Sequence, residues 1–208
     1  MNTEFREMLS RDNFVILDTE TTGLEKPAEI CDIAILDRDG RILLNTLVQP
    51  RFHIPPAAER VHGITNEMVK DAPFWPEVRA QVLDETAGRD VIVYNATYDR
   101  KLIHWSDENW GSQRYDYKAE AEYHCAMLAY AEYHGEVHLR YGSYVWQKLG
   151  TALAQQQIEF PAHYHRALFD CLATLLLVKH CTRDLTIWTP ERRHQLQKAI
   201  EKAESWNP

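Results

Sequence analysis

Residues 13–24, NFVILDTETTGL, carry more information than any other stretch of this chain. Phe14 to Leu17 form an apolar, partly β-branched run that predicts a buried strand over 13–18 ending in an acid. Side chains alternate faces along a strand, so Asp18 and Glu20, two apart, emerge on the same side. Two like charges so placed repel unless a cation sits between them. The following Thr21-Thr22-Gly23 supplies hydroxyls, backbone N–H groups and a turn suited to cradling a terminal nucleotide. Taken alone, Asp18 is an ordinary strand-ending acid. Its weight comes from segments further along.

Downstream, residues 28–37 (AEICDIAILD) and 41–48 (RILLNTLV) predict two more strands, with Asp39-Gly40 between them as a hairpin signal. A polar, proline-containing connection, HIPPAAERVHGIT, leads to Thr65, which can cap a short helix, TNEMVKDA, ending before Pro73. Trp75, Val78, Val82 and Leu83 lie at helical spacing within 75–87. DVIVYN at 90–95 predicts a buried strand, with a helix starting near Thr97. A short strand around 123–125 and helices over roughly 125–133 and 143–156 follow. Leu168, Cys171, Leu172, Leu175 and Leu176 give one apolar face to a helix over about 166–181. Thr189-Pro190-Glu191 would open a last helix, reaching about 205. A strand hairpin followed by helix–strand alternation implies an α/β fold, a mixed central sheet with helices on both faces. Without repeats or a Gly/Ser linker, residues 1–208 are expected to form a single domain.

Asp99 falls in the first turn of the helix after DVIVYN, where an acid also favours the helix dipole. The junction of a strand and a helix is where α/β sheets place their sites. His165 and Asp170, in HRALFDC, are five apart, which on one straight helix separates them by about 140°. They can face a common point only if His165 precedes the helix, after the loop Pro161-Ala162-His163-Tyr164, and Asp170 lies one turn inside. Asp170 also interrupts an apolar face, where an unpaired carboxylate is costly to bury. Four carboxylates (Asp18, Glu20, Asp99, Asp170) are hard oxygen donors and favour Mg2+ or Mn2+ over Zn2+. Two such ions, roughly 3.5–4 Å apart, would flank a scissile phosphate. An imidazole, with an unperturbed pKa of about 6.5, would take the proton of the attacking water.

Composition bounds the rest. The chain has 208 residues and a formal net charge of -8, which argues against indiscriminate electrostatic coating of nucleic acid. Metal ions held by acids would reverse the local field. Cys31, Cys125, Cys171 and Cys181 show no C-x-x-C spacing, so reduced buried thiols are expected rather than zinc. The start carries acids and no apolar core of a signal peptide, and the longest strongly apolar run, 172–178, cannot span a bilayer. A soluble, cytoplasmic protein is the expectation.

Together these segments resemble the DEDDh group of 3′-to-5′ exonucleases, whose fold is ribonuclease H-like. DTETTG (18–23), VHGIT (61–65), NATYD (95–99) and HRALFD (165–170) carry the resemblance, with EICDIAILD (29–37) as a softer element. It spans about 14–180, and the exonuclease X branch looks most similar. The resemblance implies that Asp18, Glu20, Asp99 and Asp170 bind two metal ions and that His165 is the general base. It also implies that Thr21 and Leu24 contact the 3′-terminal nucleotide, Leu24 as a wedge against the terminal base. Tyr94 and Tyr98 depart from the histidine and phenylalanine common at those positions. Arg100, Lys101 and Arg166 stand beside the acids as candidate phosphate contacts, and His62 as a residue of the site wall.

The leading expectation is a metal-dependent exonuclease releasing mononucleotides from 3′ ends of DNA, single-stranded or frayed. An exoribonuclease trimming RNA 3′ ends is the alternative within the same chemistry. A catalytically inert binding module and a polymerase proofreading subunit are alternatives of other classes. Expected partners are therefore nucleic acid, with a homodimer or a polymerase as protein partners and no membrane.

Overall fold

The computed structural model describes residues 1, 3–112, 120–160 and 165–182, together with 194, 198 and 201. The apolar run at Phe14 becomes β1 (Phe14–Thr21), the middle strand of a five-stranded sheet. β2 (Ile30–Asp37) pairs antiparallel with β1, and β3 (Ile42–Leu47) antiparallel with β2. The turn between them is closed by Gly40 at φ 85°, with the Asp37 carboxylate accepting from the Asp39 and Arg41 N–H groups. That left-handed φ suits glycine. β4 (Asp90–Val93) lies parallel to β1, and β5 (Glu122–Cys125) parallel to β4, giving the order β3-β2-β1-β4-β5. The sheet is mixed, as expected.

Strand alternation sorts the core into two layers. Phe14, Ile16, Ala34, Leu36, Ile92 and Tyr94 face one side. They are covered by α1 (Thr3–Ser10), α6 (Ala126–His134), α7 (Leu149–Gln155) and α8 (Ala167–Thr182). Val15, Leu17, Ile33, Ile35, Val91 and Val93 face the other side, under α4 (Trp75–Thr86) and α5 (Ala96–Asn109). A smaller cluster of Cys31, Leu47, Ile54, Ile64 and Val69 lies by α2 (Pro56–His62) and α3 (Asn66–Val69). α8 is buried almost all round, because it runs between the sheet and the α6 and α7 helices.

Several elements differ from expectation. The connection before Thr65 contains α2, opened by proline in its first turn and stopped by Gly63 at φ 72°. α1 adds a helix that the polar start does not announce, although Phe5, Met8 and Leu9 bury together at helical spacing. The helix expected over 143–156 is confined to α7. The residues before it pair instead, with Val137 bridged to Tyr144. Thr65 caps α3 as predicted, its hydroxyl accepting from the Met68 N–H. The expected helix from Thr189 lies outside the described residues except at His194, Lys198 and Glu201, as does the loop 161–164. Among the described residues, no helix is long and apolar enough to cross a membrane.

Candidate active site

Asp18 and Glu20 leave β1 on the face covered by α8. Strand register sets what stands beside them: Ala34 is opposite Asp18, and Asp32 is opposite Glu20. Ala34 is small, so α8 comes close, and the Cys171 thiol donates to the Ile16 and Ala34 carbonyls at 3.7 and 3.4 Å. Asp170, the preceding residue, is thereby carried to the two strand acids. Asp18, Glu20 and Asp170 each offer a carboxylate oxygen, all within 4.8 Å of one another. Asp170 lies 150 positions beyond Glu20 in the sequence; the sheet and one helix bring the three together.

Asp99 reaches the site from the other layer. β4 ends at Val93 whereas β1 continues to Thr21, so the far part of β1 has no β4 neighbour. The helix that follows β4 fills this opening. Asp99 Oδ1 accepts from the Thr19 N–H at 3.1 Å and the Thr19 hydroxyl at 2.8 Å, and the side chain is buried. Asp99 is thus beside the tight group of three but not within it, with one oxygen engaged by Thr19. Thr19, unremarked in the sequence, is the residue that fixes it.

Crowding shifts these carboxyls together. Burial, then Asp170, Asp99 and Glu20, push Asp18 well above the usual carboxylate range. Glu20 is raised to about 9, chiefly by burial and by Asp170 and Asp32. Asp99 is raised to about 7 by burial, against the opposing hydrogen bonds from Thr19. A group of acids that resist ionisation together favours a cation among them, and an all-oxygen donor set fits a hard one.

His165 lies ahead of α8, exposed, with Nδ1 3.9 Å from Asp170 Oδ2. The Asp170 carboxylate raises its pKa. Placing the histidine before the helix and the acid one turn inside it satisfies the geometric condition read from their spacing. What fixes this helix start is Asp32, an acid in an otherwise apolar strand. Its Oδ2 accepts from Arg166 Nε at 2.7 Å and from the Ala167 N–H at 3.3 Å, and its side chain is only 1 % exposed. Arg166, expected at a phosphate, is therefore held in an ion pair inside the fold. Removing one partner of such a pair typically costs roughly 3–5 kcal/mol. A lone acid among Ile, Cys, Ala and Leu was the available signal for Asp32, because a buried carboxylate needs a partner.

The turn after β1 is tied down on three sides. The Tyr98 hydroxyl donates to the Gly23 carbonyl at 2.9 Å and lies 2.8 Å from Thr21 Oγ1. Thr22 exchanges hydrogen bonds with Glu29, through its N–H to the Glu29 carbonyl and through its hydroxyl from the Glu29 N–H. His62 Nδ1 accepts from the Ile64 N–H, so its Nε2–H donates to the Thr21 carbonyl at 3.2 Å. Burial lowers the His62 pKa, consistent with a neutral ring. His62 thus supports the turn from behind. Leu24, at the turn's tip, is 75 % exposed. Arg100 turns toward β5, its guanidinium 5.4 Å from the centre of the Tyr123 ring.

With this geometry in place, comparison with known proteins gives a consistent result. The exonuclease family model matches residues 15–178. The chain is 40% identical over 169 residues to an uncharacterized exonuclease of Escherichia phage 186, covering 80% of this chain and 87% of that protein. It is 32% identical over 168 residues to exodeoxyribonuclease 10 of Escherichia coli strain K12, covering 78% of this chain and 66% of that protein. Among solved structures, exonuclease X in complex with 5′ overhanging duplex DNA superposes with a TM-score of 0.58 at 26% identity, covering 88% of this chain and 98% of that one.

Proposed function

We propose, taking as premise that this chain belongs to the exonuclease family and has its DnaQ-like, ribonuclease H-like fold, that it is a metal-dependent enzyme removing nucleoside 5′-monophosphates from DNA 3′ ends. The observation that carries this reading is the convergence of Asp18, Glu20 and Asp170 within 4.8 Å, with His165 at its rim. Asp18, Glu20 and Asp170, with Asp99 beside them, would hold two Mg2+ or Mn2+ ions. Such ions supply Lewis acidity at the phosphate and lower the pKa of water there.

The protein's own groups do the rest. His165 turns Nδ1 toward Asp170, which leaves Nε2 to take a proton from the attacking water. Its exposure gives that proton a path to solvent. Leu24 stands clear of the fold, where it can press on the terminal base, while Thr21 and its tethered turn hold the terminal sugar. A DNA preference is supported by the likeness to exodeoxyribonuclease 10.

The direct test uses 5′-labelled DNA and RNA oligonucleotides, blunt and overhanging, with Mg2+. A ladder shortening from the 3′ end on DNA is expected. Internal cleavage alone, or shortening of RNA only, would contradict the reading.

The raised carboxyls also make a prediction about stability. Glu20 at about 9 and Asp99 at about 7 lie above the unfolded values of about 4. Between those limits the folded chain binds more protons than the unfolded one, so stability falls as pH rises. In EDTA the melting temperature is therefore expected to drop between about pH 5 and about pH 9. Mg2+ or Mn2+ should restore it, by an amount that grows with pH as more carboxylates ionise. Thermal melts across this range check it. An ion effect that is absent at every pH would remove the metal site.

A further inference from the structure

We propose that the hairpin joining α6 to α7, residues 136–145 with the adjoining Trp146, is a holding surface for single-stranded nucleic acid on the side of the catalytic end. This rests on reading the chain as a 3′-end exonuclease. The hairpin's second arm, from residue 143 on, falls within the stretch expected to be helical, and it is organised quite differently.

Its two arms are paired. The His138 N–H donates to the Ser143 carbonyl and the Val145 N–H to the Glu136 carbonyl, both at 2.8 Å. The tip is closed by the Tyr141 and Gly142 N–H groups on the His138 carbonyl, with Gly142 in the left-handed region at φ 67°. Every residue from His134 to Tyr144 is exposed. A soluble protein seldom displays so many large apolar side chains without a use for them. Leu139, Tyr141, Tyr144 and Trp146 are all exposed, Trp146 by 67 %.

The position and chemistry both suit a nucleic-acid strand. The hairpin's root is fastened at Gln147, whose carbonyl accepts from the Tyr94 hydroxyl at 2.7 Å. Tyr94 directly follows β4 and precedes the helix that carries Asp99, so the root lies at the site's end of the sheet. It also lies on the layer of α8, which presents His165 and Asp170. At the tip, Arg140 is 5.5 Å from the centre of the Tyr141 ring, and the His138 ring lies 4.8 Å from the same ring. Lys148 adds a second exposed cation at the root. Aromatic faces beside cations are what stacks bases and pairs phosphates along an unpaired strand without reading sequence. On a chain of net charge -8, residues 136–148 carry Arg140 and Lys148 against the single acid Glu136, and this locally positive balance favours a polyanion over another copy of the same acidic chain.

The test compares the wild-type chain with the Tyr141→Ala/Trp146→Ala double variant and with Arg140→Gln. All three side chains are exposed, so the fold should be kept, and circular dichroism checks this. The substrates are a 5′-labelled oligothymidylate of about twelve nucleotides and the p-nitrophenyl ester of thymidine 5′-monophosphate, too short to reach the hairpin. The double variant is expected to raise KM for the oligonucleotide about tenfold or more, with kcat nearly unchanged and ester hydrolysis unaffected. Arg140→Gln should lower the salt dependence of oligonucleotide binding by about one counterion. Anisotropy of the labelled strand in EDTA reads binding without turnover and should weaken in parallel. Unaltered binding and KM in the double variant would overturn the proposal. So would a shift from dimer to monomer in light scattering with binding intact, since the hairpin would then meet a second copy. If the wild type binds the strand through the hairpin but cleaves neither substrate, the exonuclease reading fails and the surface stands.

Discussion

Asp18→Asn is expected to lower turnover of a 3′-ended oligonucleotide by about a thousandfold or more while making the metal-free protein more stable. The two effects share one cause. Asp18 is held against Asp170 and Glu20, with Asp99 close by, and all of these neighbours push its proton affinity up. Asparagine keeps the shape and cannot ionise, so the repulsion among these carboxylates falls at every pH where Asp18 would carry charge. The same change removes a cation donor, and with it the ability to gather positive charge at the phosphate. Rate measurements with Mg2+ and thermal melts in EDTA read both halves. A variant that retains wild-type turnover would end the proposal that these acids are catalytic. A variant that loses activity and also melts well below the wild type in EDTA would instead indicate a structural role. Activity conflicting with stability at one residue is what a site maintained for function should show.

The second large effect concerns His165. His165→Ala is expected to reduce kcat by about 10²–10⁴-fold, the range lost with a positioned general base. Its imidazole is 68 % exposed and lies outside the tight carboxylate group, so the gain in melting temperature with Mg2+ should persist. That separates it from Asp18, whose replacement should diminish both. The wild-type rate should fall toward acid pH, where the imidazole is protonated and cannot accept a proton. In the variant this decline should flatten. Stopped-time assays over pH with melts in parallel make the comparison. A loss of the ion-induced melting shift in His165→Ala would make this residue a ligand rather than a base.

Two further features show why local signals fall short. Arg166 stands next to His165, and proximity along the chain suggests a phosphate contact. Its actual partner is Asp32, 134 positions earlier, because β2 runs beneath the start of α8. The segment around 143–156 has helical composition at its end, yet Tyr144 and Val145 pair back across Gly142, and the helix waits until Leu149. Pairing with a neighbouring arm outweighed helix propensity there.

Local chemistry along the chain was enough to determine the mixed α/β plan, the strand that ends in two same-face acids, and the helix that buries the apolar side of HRALFDC. Those follow from alternation, helical spacing and capping, which act over a few residues and leave their period in the sequence. Only the tertiary structure decided how these acids meet and what holds them. Strand register put Asp32 across from Glu20 and a small Ala34 under α8, and the early end of β4 gave Asp99 to Thr19. Register, crossing distance and strand length arise from packing between elements far apart in the chain, where no local period records them.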